Sequence, residues 1–351
     1  MRINGKNIVF ESADMPFLKK YGLDAATDMV KEHFNNTDMP FINDTFQLAD
    51  ELGMKRKELF SLLRNIDSYY EEIKIPKKSG GVRVLHAPRG LLRAAQSGIL
   101  RMLRNQPVSR FATAYVTGKS LVCNATPHVG KKYLLKMDIT DFFGSITFLK
   151  VISAAFPSSV YPKHIGAMLT KLCARNECLP QGAPTSPALS NIVMKNFDEA
   201  LGNWCEKQGI SYTRYCDDLT FSADEKLYHV YSKAASMLFE MGFEVNPLKT
   251  HFISNSARQT VTGIVVNDKL SLPREYKRGL RQELHYALTY GLFDAAKHRG
   301  TAHFYEDENG VFNLEKYRAT LLGKIEYLLS VCGETEWLTT ARNRLLYYKF
   351  K

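Results

Sequence analysis

Along this chain, stretches with apolar residues at helical spacing alternate with stretches that read as strands. Residues 45–66 place Phe46, Leu48, Leu62 and Leu63 around Gly53 and predict a pair of short helices. Glu72 to Ile75 and Val82 to His86 read as two strands, and Lys77-Lys78-Ser79-Gly80-Gly81 between them has the glycine content of a hairpin turn. Residues 90–104 return to helical spacing with Leu91, Leu92, Ala95, Ile99 and Met102. From Tyr133 the order is a strand to Asp138, helical segments to about residue 206, and two short strands around Tyr215-Cys216-Asp217-Asp218. A helix with Leu227, Val230, Tyr231, Ala234 and Leu238 on one face follows and stops at Gly242, and a further strand begins at Phe243. Strand, helix, two strands, helix, strand is the split order of a ferredoxin-like sheet. Residues 273–290 and 314–331 read as helices. The expected class is α+β.

Composition adds little until charge is considered. Hydrophobic residues are 45% and charged residues 24% of 351, the balance of a folded globular protein. No apolar run is long enough for a membrane span, and the first residues lack the apolar core of a signal peptide, so a cytoplasmic protein with no membrane partner is expected. Six cysteines without a C-x-x-C pair argue against a disulfide framework or a zinc module. The formal charge is +11, and nine basic residues with no acid lie between Lys74 and Arg110. A focused field of one sign points to a polyanion, with nucleic acid ahead of a membrane surface.

The candidate chemistry is carboxylate. Asp217 and Asp218 are adjacent in a turn between two strands, where like charges repel and a divalent cation offers relief. Asp138 closes an earlier strand. Three such groups could hold two Mg²⁺ ions in the arrangement used for phosphoryl transfer.

Three segments occur in a fixed order: Asp138-Ile139-Thr140-Asp141-Phe142-Phe143, Leu179-Pro180-Gln181-Gly182-Ala183-Pro184-Thr185-Ser186-Pro187, and Tyr215-Cys216-Asp217-Asp218. Together they resemble the central palm motifs of reverse transcriptases, over roughly residues 70–265. The resemblance implies a right-hand polymerase fold of fingers, ferredoxin-like palm and helical thumb. It divides the chain into an N-terminal extension (1–45), fingers (46–130), palm with inserted fingers elements (131–265) and RNA-binding thumb (266–351). It implies that Asp138, Asp217 and Asp218 are catalytic and ligate two Mg²⁺, and that the backbone near Asp141 touches the triphosphate. Phe143 falls where these enzymes place an aromatic gate against a ribose 2′-OH. Gln181 and Gly182 would line the incoming nucleotide, and Tyr215 and Cys216 would pack at the primer end. Ile75 to Arg83 resembles the fingers hairpin, so Arg83 with Lys77 or Lys78 is expected at the β- and γ-phosphates of a dNTP, where a guanidinium fork suits phosphate. Lys249 matches a later lysine-bearing motif and could donate a proton to departing pyrophosphate, or be a surface lysine.

Two further segments narrow the resemblance. Asn124-Ala125-Thr126-Pro127-His128 and Val261-Thr262-Gly263 are similar to the N-A-x-x-H and V-T-G hallmarks of bacterial retron reverse transcriptases. This implies RNA-binding roles, or support for them, at Asn124, His128, Val261, Thr262 and Gly263. His128 as a core histidine stands as an equal alternative. Arg274, Lys277, Arg278 and Arg281 suggest a thumb surface that follows an RNA backbone by charge. The residues after Gly263 suit a helical thumb rather than an added RNase H domain. The implied activity is RNA-directed DNA polymerisation on a cognate structured retron noncoding RNA (msr-msd), primed from a guanosine 2′-OH. The implied product is a branched RNA–DNA hybrid (msDNA) that works with an accessory effector protein in anti-phage defence. Alternatives are another bacterial reverse transcriptase, of intron, diversity-generating or abortive-infection type, or a non-catalytic RNA-binding palm scaffold.

Overall fold

A four-stranded antiparallel sheet carries the central part of the chain, and the computed structural model describes residues 2–4, 7–9, 33, 39–76 and 80–347. Lys77 and Lys78 lie outside the described residues, as does most of the N-terminal extension. A short antiparallel pair, β1 (Arg2–Asn4) and β2 (Asn7–Val9), comes first. The helical pair predicted around Gly53 is present as α1 (Thr45–Glu51) and α2 (Arg56–Arg64). Asp44 caps α1 by accepting from the backbone N–H groups of Phe46 and Gln47. Next come β3 (Tyr70–Pro76) and β4 (Val82–Pro88), paired from Tyr70↔Pro88 to Pro76↔Val82, as the hairpin pattern predicts. Helix α3 (Gly90–Leu103) buries Leu92, Ala95, Ile99 and Met102 and leaves Arg93, Arg101 and Arg104 exposed. The apolar stripe thus turns the basic segment outward.

The chain continues through α4 (Leu121–Ala125), β5 (Tyr133–Asp138), α5 (Phe148–Ala155), α6 (Lys163–Cys173) and α7 (Ser186–Lys207). It then forms β6 (Ser211–Tyr215), β7 (Asp218–Ala223), α8 (Tyr228–Glu240) and β8 (His251–Ser254). The sheet order is β6-β7-β5-β8, which is the ferredoxin-like order for strands met in the sequence as β5, β6, β7, β8. Alternation sorts the two faces. Leu135, Met137, Tyr212, Leu219 and Phe221 join one apolar core with α7 and α8, whereas Leu134 belongs to a second core with Ala125, Val261 and Ile264.

One boundary differs from the expectation. The last strand begins at His251, not at Phe243. The segment from Phe243 does run beside the end of β5, where Thr140 N donates to Glu244 O (2.8 Å) and Asn246 N donates to Asp138 O (2.8 Å). Pro247, with no N–H to offer a ladder, then opens a 3₁₀ turn to Lys249 before β8 starts.

After β8, a two-residue hairpin joins β9 (Thr260–Val261) to β10 (Ile264–Val265). Helices α9 (Arg274–Tyr290), α10 (Leu292–His298), α11 (Leu314–Cys332) and α12 (Glu336–Leu346) follow and build the second core around Leu284, Tyr317, Leu321 and Ile325. The two helices expected here are α9 and α11. Buried Glu283 is held there by Lys324 (2.8 Å) and the Tyr317 hydroxyl (3.0 Å). The six cysteines are free. Among the described residues no helix is long and apolar enough to cross a membrane.

Candidate active site

Antiparallel pairing brings the carboxylates together. Asp138, the last residue of β5, lies directly opposite Asp218, the first residue of β7. Asp217 sits in the two-residue connection between β6 and β7, closed by the Tyr215↔Asp218 pair, and its carbonyl accepts from Ile139 N at 3.0 Å. Cys216, the first residue of that connection, has φ +61°. A two-residue hairpin with positive φ there normally carries glycine, so this turn is held against a local preference.

The restraint is Arg214. Its guanidinium is fully buried, donates to the Cys216 carbonyl (3.0 Å) and pairs with Asp198 on α7 (2.6 Å), itself fully buried. Asn191 Oδ1 and the Tyr212 hydroxyl complete the cluster. Sequence reading missed this pair, although a charged residue inside a strand of buried neighbours is a usable signal.

Asp138, Asp141, Phe143, Gln181, Tyr215, Cys216, Asp217, Asp218 and Lys249 all line one cleft of about 520 Å³, and Arg83 lines it too. Phe143 packs its ring on Phe142, 5.4 Å between centroids. The cleft's fingers side is tied to the Gln181 loop, for His86 N donates to Gln181 O at 2.7 Å. Gly182, at φ +109°, approaches His86 so closely that a Cβ would stand 3.2 Å from its carbonyl oxygen. Only glycine fits without displacing β4.

Lys249 Nζ donates to both carboxylate oxygens of Asp138, at 2.8 and 3.0 Å, and this bonding raises the ammonium's pKa. Burial first, and the charge of Asp217 second, push the Asp218 carboxyl up to about 6. Among the described residues no three His, Cys, Asp or Glu side chains are gathered as a preformed metal cage. The donor set nevertheless fits a hard divalent cation. It is all carboxylate oxygen, one member already holds a cationic group, and another carries the raised pKa of a charge lacking compensation.

The hallmark segments lie elsewhere. Asn124, His128 and Val261 are 1%, 0% and 0% exposed, so their side chains face inward rather than toward a ligand. His128 bridges the sheet, with Nδ1 2.7 Å from Ser222 Oγ on β7 and Nε2 2.8 Å from Thr213 Oγ1 on β6. Burial pushes its imidazole down to about 3. Thr262 and Gly263, at φ +47° and +86°, are the two central residues of the β9–β10 hairpin. That is the type I′ pattern, which Gly263 accommodates freely. Asn124 Nδ2 donates to Thr262 Oγ1 at 3.4 Å, so one hallmark supports the other. On α9, Arg274, Arg278 and Arg281 are exposed, Arg281 lies over the Trp337 ring at 4.7 Å, and Lys277 bonds Ser271.

Comparison with known proteins agrees with this geometry. The family described as "Reverse transcriptase (RNA-dependent DNA polymerase)" matches residues 75–277. The retron Mx65 reverse transcriptase of Myxococcus xanthus is 40% identical over 259 residues, which cover 68% of this chain and 60% of that protein. The retron Ec86 reverse transcriptase of Escherichia coli is 32% identical over 259 residues, covering 72% of this chain and 80% of its own length. The chain therefore spans less than two thirds of the M. xanthus relative. Among solved structures, apo telomerase from Candida tropicalis aligns with a TM-score of 0.42 and 13% identity, over 79% of this chain and 65% of its own. The family match, spanning a ferredoxin-like sheet with its carboxylates at the strand ends, establishes the α+β right-hand polymerase fold expected above. The chain belongs to the reverse transcriptase family, among the bacterial retron reverse transcriptases.

Proposed function

We propose that this protein is an RNA-directed DNA polymerase that copies part of its own retron noncoding RNA (msr-msd). The observation that carries the reading is the pairing of Asp138 with Asp218, with Asp217 in the adjoining turn, in a cleft that Arg83 also lines. Asp138, Asp217 and Asp218 hold two Mg²⁺ ions, whose chemistry when bound is to activate a primer hydroxyl and to neutralise charge at the α-phosphate of a dNTP. The chain's own part is positioning and electrostatics. Arg83, with Lys77 or Lys78, fixes the β- and γ-phosphates, and the backbone near Asp141 meets the triphosphate. Phe143 excludes a 2′-OH by contact. Gln181 and Gly182 bound the nucleotide and template base, and Tyr215 and Cys216 pack at the primer end. Lys249 stands where it could protonate the leaving pyrophosphate.

The expected test is extension of an annealed primer on an RNA template with dNTPs and Mg²⁺. Asp217→Asn or Asp218→Asn should abolish incorporation while RNA binding persists, because an amide lacks the charge that holds a divalent cation. Near-normal extension by either variant would refute the assignment.

The finer reading is that priming starts from a guanosine 2′-OH within the RNA, giving branched msDNA that acts with an accessory effector protein in anti-phage defence in the bacterial cytoplasm. The two hallmark segments support it, Asn124 to His128 by buttressing the sheet and the Val261–Gly263 turn, with the basic face of α9 as the surface that tracks RNA by charge. We assign residues 46–130 to fingers, 131–265 to palm and 266–351 to thumb, with residues 1–45 as an N-terminal extension. Sequencing the nucleic acid that copurifies with the protein tests this reading. A DNA product without a 2′,5′ linkage to RNA would favour another class of bacterial reverse transcriptase.

A further inference from the structure

Tyr115 was not among the residues that the sequence singled out, yet it lines the same cleft as the three carboxylates. Its backbone is at φ +59°, a conformation that aromatic residues seldom take, and its side chain is 57% exposed. The segment before it explains how that conformation is held. Residues 111–114 run alongside β6: Arg214 N donates to Phe111 O (2.9 Å), Thr113 N donates to Arg214 O (2.8 Å), and Asn191 Nδ2 donates to Ala114 O (2.8 Å). A turn follows at once, with Lys119 N donating to Val116 O at 3.1 Å. The strap therefore ends beside the turn that carries Asp217, and Tyr115 and Cys216 line the cleft together. A strained, half-open aromatic ring fixed from both sides is the kind of feature that functional sites retain.

The cleft has two walls. One is the fingers wall, with Arg83, Val84 and the Gln181 loop, which is bonded to β4 through His86. The other is the hairpin wall, with Tyr215, Cys216 and Asp217, to which the strap of Tyr115 is bonded. The phosphates of an incoming nucleotide belong with the Arg83 guanidinium on the first wall. The nucleotide bearing the attacking hydroxyl then falls to the second.

Resting on the polymerase reading above, we propose that Tyr115 is the stacking platform for that nucleotide, its ring lying against the terminal base of the primer strand. Every base offers a π-face, so such a contact holds any terminal base alike. This suits an enzyme whose primer end changes at each cycle. The strap bonded to Arg214 and Asn191 fixes where the ring stands.

The test compares two primers annealed to one RNA template, alike except that one ends in an abasic nucleotide with its 3′-OH intact. Loss of the base should raise the primer–template KM of the unaltered protein about tenfold. Tyr115→Gly should show about the same rise with the normal primer and little further rise with the abasic one, while the dNTP KM moves less than about twofold. Glycine is at ease at φ +59°, so this variant should melt no lower than the parent. Should it unfold early, Tyr115→Leu, apolar but without a π-face, carries the same comparison. Tyr115→Phe keeps the ring and should retain sensitivity to the missing base. An equal abasic penalty with and without the ring, a dNTP KM that rises in step with the primer KM, or a Tyr115→Phe variant blind to the base would overturn the assignment. A wild-type protein that extends neither primer overturns both this proposal and the polymerase reading.

Discussion

Lys249 Nζ lies 2.8 and 3.0 Å from the two carboxylate oxygens of Asp138, on the same strand end that faces Asp218. An ammonium there compensates charge that a divalent cation would otherwise compensate, so on the polymerase reading the two cations would compete. Lys249 is 61% exposed, so solvent weakens its hold to the range of surface pairs. Lys249→Met should therefore tighten divalent binding by about two- to fivefold in a calorimetric titration without nucleotide. Weaker binding in the variant would mean that the ammonium helps the cation rather than standing in its place.

Phe143 carries a prediction about sugar choice. Its ring packs on Phe142 and lines the cleft, so it can exclude a 2′-OH by contact alone. Phe143→Ala should raise ribonucleotide incorporation relative to deoxyribonucleotide, by about ten- to a hundredfold in the ratio of kcat/KM values. An unchanged ratio would reduce Phe143 to core packing.

The buried Arg214–Asp198 pair makes a claim on stability. Both side chains are fully buried, and removal of one leaves the other charged and unpaired. Asp198→Ala should cost about 3–5 kcal/mol in urea denaturation, whereas an apolar replacement of both partners should cost less. The Asp198 variant should also need more Mg²⁺ for half-maximal extension, because the Cys216 carbonyl loses its fixed donor. If extension and metal requirement are normal at temperatures where the variant is folded, the pair supports the fold and not the turn.

His128 predicts a pH dependence. Burial holds its imidazole at about 3, well below the ordinary 6.5, so folding favours the neutral ring. A group depressed in this way contributes stability fully above about pH 6.5, and that contribution is lost progressively as pH falls toward 3. His128→Gln can still bond Ser222 and Thr213 but has no such proton to take. It should be less stable at neutral pH by about 1–3 kcal/mol and show a shallower loss between pH 6.5 and 4. Parallel stability–pH curves for the two proteins would show that His128 is not the group that senses acid.

Some of this molecule was legible in one dimension. Helices such as α3 and α8 follow from apolar spacing, because a helix must turn one stripe inward whatever it packs against. The carboxylates, Phe143, the Gln181 loop and Arg83, which the structure gathers in one cleft, were legible as ordered motifs, because each is a short run of adjacent letters. The start of β8 was not, since a single proline moved it eight residues along an otherwise suitable apolar run. Nor was the inward direction of Asn124 and His128, because a polar residue on a short helix reads alike whether it meets solvent or a strand hydroxyl. Thr213 and Ser222, the hydroxyls that receive the ring, lie 85 and 94 residues away in the chain. Tyr115 and Arg214 belong to the same class. The backbone at Tyr115 is strained, and the charge at Arg214 buried, because strands distant in sequence meet there. Only tertiary structure supplies the neighbours that make either condition stable.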